Sequence, residues 1–260
     1  MKELVYQMMK ISKLEKQRLL DDLVVHLEQN SDSKIKQWFD NYLKGAIAYR
    51  GLKTPQVTQI VKQWRIRNQL DRCSLSEQLT LCMDLIARDF AEDKFAGTIY
   101  LQKFLLSRLD YQILLRECSS MFERGYFYDW STTDWFCTRI LDPTIVKHGL
   151  DAANIIAKGR YSENLWQRRA AIVSFRHATK DSQYHQLIAE IIADLVRESE
   201  RFIQTGIGWV LADMSKPYPS EAEALFRQHL NCLSKEVIDR HTKHLICHKE
   251  LKQLKRMSLR

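Results

Sequence analysis

Glycine and proline are scarce in this chain, with eight and four among 260 residues. They supply most of the left-handed turns and breaks that punctuate loop-rich and β-rich folds. Their scarcity favours helices joined by short polar turns. The apolar pattern agrees: almost every segment repeats apolar residues at spacings of three and four, and convincing alternating runs of β-branched residues are missing. This predicts an all-α chain of roughly a dozen helices.

Two stripes illustrate the pattern. Leu19, Leu20, Leu23, Val24 and Leu27 form one face of the second expected helix, and Leu187, Ile188, Ile191, Ile192, Leu195 and Val196 form one face of a later helix. Thr54 before Pro55 reads as an N-cap followed by proline at the first helical position, and Ser220 before an acidic turn reads as a weaker cap. Short helices without a break in composition predict stacked helix pairs of the HEAT or armadillo kind, with a repeat of about 40 residues and a concave inner face. With 45% apolar and 28% charged residues, the chain is expected to be a single folded domain over 1–260. N-terminal helices are expected over 1–35, the core over 36–232, and a basic C-terminal helix or tail over 233–260.

Lys2, Lys10, Lys13, Lys16 and Arg18 interrupt the first twenty residues, leaving no apolar signal-peptide core, and no later apolar run approaches the ~20 residues of a membrane span. Cys73, Cys82, Cys118, Cys137, Cys232 and Cys247 are scattered without CxxC pairing and read as reduced, buried thiols. The expected location is cytoplasmic, or nucleoid-associated when on DNA, with no membrane partner.

The net charge of +8 is unevenly spread. Residues 41–70 carry Lys44, Arg50, Lys53, Lys62, Arg65 and Arg67 with no acid, and 139–180 and 234–260 each carry eight basic and three acidic side chains, so the remainder is acidic. Clustered cations of this kind fit a phosphate-backbone partner. A solvated basic face is the plainer alternative.

Three stretches carry candidate chemistry. In Tyr128–Cys137, a helix starting early would put Trp130 and Asp134 four apart on one face. A helix starting at Ser131 would instead spend Ser131 and Asp134 on a capping box, with Trp130 and Trp135 as a hydrophobic staple. In Ser162–Ile172, Trp166 and Arg169 share a face while Arg168 points elsewhere; phosphate holding and an inter-repeat ion pair are both open. Gly206-Ile207-Gly208-Trp209 reads as a close helix approach. His241, His244, Cys247 and His248 have metal-like spacing, but soft ligands on one helix seldom complete a tetrahedron and the flanking cations repel an ion, so no metal is expected. No GxGxxG, Walker A, HExxH or G-x-S-x-G pattern occurs, and no nucleotide or other cofactor is expected.

Taken in order, Tyr42 with Gly51-Leu52-Lys53-Thr54-Pro55, the Trp130-x-x-x-Asp134 element ending in Phe136-Cys137, Asn164–Ile172, and Ile207-Gly208-Trp209 resemble the AlkD-like DNA alkylation repair family from about Trp38 to about Leu230. The resemblance implies a right-handed superhelix of HEAT-like repeats with a basic concave cleft for duplex DNA. It implies a monomeric glycosylase that excises N3- and N7-alkylated purines without drawing the base into a pocket. It places Asp134 at the catalytic carboxylate, Trp130 and Trp209 at the cleft tryptophans, Arg169 at a phosphate-gripping arginine and Tyr42 at the cleft tyrosine. Lys53, Trp166 and Arg168 are expected to join the DNA-binding surface. Ala212 stands where active relatives are expected to carry an arginine. The alternatives are a non-catalytic, structure-specific DNA-binding relative and a helical-repeat scaffold that holds a peptide.

Overall fold

The computed structural model describes residues 11–258. Within them lie fourteen α-helices and no strand beyond an isolated bridge between Ala48 and Phe90. Residues 1–10 and 259–260 of the expected N-terminal helices and basic tail lie outside the described residues. Two compact units are built: one from the chain up to Asp110 together with Arg124–Thr132, the other from Tyr111–Glu123 together with the chain from Thr133 onward.

The first unit contains α1 (Lys13–Gln29), α2 (Ser33–Leu43), α3 (Thr54–Arg67), α4 (Leu75–Ile86) and α5 (Ala91–Tyr100). Helices α1, α3 and α5 lie side by side, and α4 packs on α5. Leu23 and Leu27 of α1 interlock with Val57, Val61 and Trp64 of α3, all fully buried. The Trp64 indole N–H donates to the Leu19 carbonyl at 2.9 Å, which satisfies the one polar atom of that buried ring.

The Gly51–Pro55 segment is a backbone-held loop. Glu92, itself fully buried, accepts from the Gly51 and Leu52 amides through Oε1 at 2.8 and 2.9 Å and from the Arg50 amide through Oε2 at 2.9 Å. Gly51 has φ 113°, and a Cβ there would come within 2.2 Å of the Asp32 carbonyl oxygen. Only glycine fits. Thr54 is the first residue of α3, not its cap; the start is fixed by Pro55 and by the Gln56 side chain, which accepts from the Lys53 amide at 2.8 Å. Ser220 likewise lies inside the first turn of α12 (Pro219–Gln228), where Pro219 opens the helix at a position whose N–H would have no helical partner.

The second unit contains α6 (Tyr111–Glu123), α8 (Asp142–Ala157), α9 (Leu165–Val173), α10 (His185–Leu195), α11 (Arg201–Met214), α12, α13 (Lys235–His241) and α14 (His248–Ser258). Pairs α9/α10, α11/α12 and α13/α14 stack through a row formed by α9, α11 and α13, while α6 and α8 cover α9. The row helices begin at Leu165, Arg201 and Lys235, a recurrence of ~35 residues close to that of HEAT-type pairs. The expected stripe on α10 is buried throughout. The basic C-terminal segment docks as α14 through fully buried Leu251 and through Lys255, whose ammonium donates to the Leu230 and Asn231 carbonyls at 3.1 Å. Cys232 is exposed, unlike the buried thiol expected there, and Cys247 is half-buried. The chain passes from the first unit to the second for the last time within α7 (Trp130–Phe136).

Lys94 is a buried cation in the first unit, 1% exposed, donating to the Ile86 and Tyr126 carbonyls at 2.7 Å. Burial depresses its pKa from 10.5 to about 8, against the opposing pull of Asp129, Asp89 and Asp93. The folded chain therefore gives up this proton before the unfolded chain does, and stability from this group rises with pH between about 8 and 10.5. Relative to Lys94→Met, the native chain is expected to gain on the order of 3 kcal/mol across that window in chemical denaturation. Parallel stability curves for the two proteins would contradict the assignment.

Candidate functional site

The phase of α7 is set by Asp129, which is 1% exposed. Its Oδ1 accepts from the Ser131 and Thr132 amides at 2.8 and 3.1 Å and from the Ser131 hydroxyl at 2.6 Å, while the Thr132 hydroxyl donates to Oδ2. Asp129 is thus the N-cap, and the helix begins at Trp130. The capping-box alternative for Ser131 and Asp134 is not what the chain builds. Trp130 and Asp134 stand one turn apart in α7, and the Asp134 side chain is directed to another helix. The helix then widens into i→i+5 geometry over Cys137–Leu141, a form often found near functional residues.

Asp134 meets Arg169 of α9 fork to fork. Arg169 Nε donates to Oδ1 at 2.7 Å and Nη2 to Oδ2 at 2.8 Å, with the residues 8% and 4% exposed. Arg169 Nη1 donates to the Phe202 carbonyl and, at 3.3 Å, to the Thr205 hydroxyl, both on α11. The start of α9 is fixed by Asn164, which accepts from the Trp166 and Gln167 amides at 2.8 and 3.2 Å and donates to the Phe122 carbonyl at 2.7 Å. On α11, Gly206 leaves room for the guanidinium: a Cβ there would lie 3.3 Å from Arg169 Nη1. Gly208 admits the His241 ring of α13, which a Cβ would approach to 2.6 Å. Burial, with a contribution from Arg240, lowers the pKa of His241. The Gly206-x-Gly208 spacing therefore serves close approach at two neighbouring contacts.

The remaining candidates divide between ion pairs and surface. The Arg169 guanidinium is turned inward onto Asp134. Arg168 resolves to an ion pair, with Nε and Nη2 on the Glu198 carboxylate at 3.0 Å and Nη1 on the Ser162 and Glu163 carbonyls at 2.7 and 2.9 Å. Trp166 is half-buried against Phe202, ring centroids 5.0 Å apart. Tyr42 is 56% exposed, stacks on Trp38 at 5.2 Å and meets the edge of Trp130 at 5.7 Å. Lys53 is exposed at the start of α3. His241 and His248 are taken up separately, the first against Gly208 and the second paired with the Thr242 hydroxyl at 2.6 Å. Among the described residues no group of three or more His, Cys, Asp or Glu is poised for a metal.

Trp209 has a neighbour that the sequence did not single out. The Arg176 guanidinium lies 3.6 Å from the Trp209 ring centroid, and its Nε donates to Asp213 at 2.6 Å. Residue 176 sits beyond the end of α9, outside any helical spacing that would have tied it to 209; its only signal was membership of the 139–180 basic cluster. The clusters themselves are partly spent on internal pairs. Arg50 is bound by Asp93 and Glu28, Arg67 by Asp22, Arg160 by Asp194, Arg168 by Glu198 and Arg176 by Asp213. Lys44, Lys53, Lys62, Arg139, Lys147, Lys158 and Lys180 remain exposed.

The sequence pattern described as DNA alkylation repair enzyme matches residues 23–245. A solved structure from Enterococcus faecalis, described as a predicted DNA alkylation repair enzyme, superposes with a TM-score of 0.71 at 18% identity, over 83% of this chain and 97% of that chain. It shows the same fold. No curated protein matches the chain significantly. No helix of the described residues is long and apolar enough to cross a membrane.

A buried bidentate pair of this geometry is strongly coupled. Arg169→Met is expected to lower unfolding free energy by about 3–5 kcal/mol, because it leaves Asp134 buried without its cation. In a double-mutant cycle with Asp134→Asn the two losses should fall short of additivity by about 2 kcal/mol. Additive losses in denaturant titrations would mean that the pair does not act as a unit.

Proposed function

The chain belongs to the DNA alkylation repair enzyme family, and from that premise we propose that it hydrolyses the N-glycosidic bond of N3- or N7-alkylated purines in duplex DNA. The observation that carries the reading is a carboxylate fixed in plane and position by a two-pronged guanidinium, one helical turn from an aromatic side chain.

Alkylation at N3 or N7 makes the purine cationic, so it leaves as a neutral base with little need of protonation. The remaining requirements are to offset positive charge as the sugar becomes oxocarbenium-like and to deliver water to C1′. Asp134 meets both as a preorganised electrostatic group that also orients or deprotonates the water. Arg169 acts as a positioning residue: it holds Asp134 instead of gripping the backbone.

Trp130 and Trp209 would present electron-rich faces to the sugar and the cationic base, worth about 0.5–2 kcal/mol each. Because Arg176 already covers one face of Trp209, that tryptophan has only its opposite face and edge to offer. Tyr42, Lys53 and the other exposed cations supply backbone contacts, and the reaction as proposed needs no metal or cofactor. The covered face of Trp209, together with Ala212, favours a second reading in which the chain binds DNA without excising a base.

Under single-turnover conditions, Asp134→Asn should reduce release of free alkylpurine from methylated duplex DNA at least ~10²-fold, while duplex affinity stays within about threefold. Salt-sensitive duplex binding without base release by the native chain would favour the second reading. Loss of release and affinity together in the variant would mean that Asp134 serves the fold alone.

A further inference from the structure

Beyond the end of α9 the chain turns through Ser174–His177, and two consecutive basic residues engage different helices. Arg176 reaches α11, where it lies flat on Trp209 and is aligned by Asp213. His177 reaches α8, where its Nδ1 and backbone amide both engage Asp142 Oδ2, the amide at 3.3 Å. Asp142 is fully buried and its other oxygen, Oδ1, has no hydrogen-bond partner. The His177 side chain is 58% exposed.

Each side chain is thus held by a carboxylate at its inner nitrogen, Nε of Arg176 and Nδ1 of His177. Arg176 Nη1 and Nη2 and His177 Nε2 have no hydrogen-bond partner among the described residues. Lys216, 63% exposed, shares Asp213 at 2.9 Å and adds positive charge beside Arg176. A guanidinium clamped at Nε and stacked on an indole has given up most of its rotamer freedom before a ligand arrives. An imidazole whose Nδ1 is held by a buried carboxylate presents Nε2 outward, as a donor in its imidazolium form.

This is the chemistry of an anion site, and its position against Trp209 selects the anion. We infer that Arg176 and His177 bind backbone phosphodiester of the DNA and thereby fix the register of the strand along Trp209. The inference rests on the duplex-binding reading above. It assigns to residues 176 and 177 the backbone grip that Arg169, turned inward, does not provide. Asp213 and Asp142 act as positioning residues behind them.

Each neutralised phosphate contributes about −0.9 to the slope of log affinity against log salt. The test is fluorescence anisotropy of the full chain on an unmodified duplex at pH 6 over a salt series, for the native protein, Arg176→Gln, Arg176→Lys, His177→Gln and the Arg176→Gln/His177→Gln double variant. Arg176→Gln and His177→Gln should each flatten the slope by up to ~0.9 and the double variant by more than either. Arg176→Lys, which keeps the charge, should retain the slope even if removing the stack on Trp209 weakens affinity.

Native duplex binding with unchanged slopes in both glutamine variants overturns the site and leaves the proposed function standing. Failure of the native chain to bind duplex overturns both. Inorganic phosphate, added at constant ionic strength, should weaken native binding no more than chloride. Specific competition by phosphate that disappears in Arg176→Gln would give the site to free phosphate and overturn the assignment to DNA.

Discussion

The buried pairing of Asp134 with Arg169 is the constraint on which the second unit turns. Taking a carboxylate and a guanidinium out of water costs several kcal/mol per ion, and the attraction between them offsets this only when the geometry is good and the remaining donors are satisfied. Three helices are accordingly held to it. Asp129 fixes where α7 starts, Asn164 fixes where α9 starts, and α11 supplies the Phe202 carbonyl, the Thr205 hydroxyl and the space at Gly206. A pair that added stability alone could be replaced by apolar packing.

The distribution of cations tells a related story. Much of the arginine content of the basic stretches is neutralised by acids brought in from other helices, including Asp93, Asp194, Glu198 and Asp213. Exposed lysines remain, and these are the groups suited to a loose, sequence-independent hold on phosphate. Arginines in this chain mostly orient and lock, as planar forks do better than point charges. Arg176 combines the two behaviours, clamped at one nitrogen and open at the others.

Helix class and the stacking of helix pairs were legible in the sequence because apolar periodicity is local, as in the uninterrupted stripe on α10. Asp134 and Arg169 were both singled out, Asp134 first as one of two open readings of its segment. What could not be read was that they bind each other: 35 residues separate them, and nothing local couples the phase of α7 to that of α9. The start of α7 was ambiguous for a related reason. Asp129 and Ser131 are both good caps two residues apart, and the choice fell to Asp129 because its carboxylate takes up four donors at once. The charge count was incomplete for the same reason, since a tally along the chain does not see acids that fold back onto it. Arg176 and His177 lie in an irregular turn, where no periodic rule reaches.

A single substitution at Arg169 separates a positioning arginine from a phosphate-gripping one. The measurement is a comparison of native chain and Arg169→Lys, which keeps the charge but loses the fork, with single-turnover base release and duplex affinity measured on the same alkylated DNA over a salt series. Release is expected to slow by ~10²-fold or more while affinity and its salt dependence hold. Unchanged release from bound DNA, with weakened affinity and a flatter salt dependence, would contradict the positioning role.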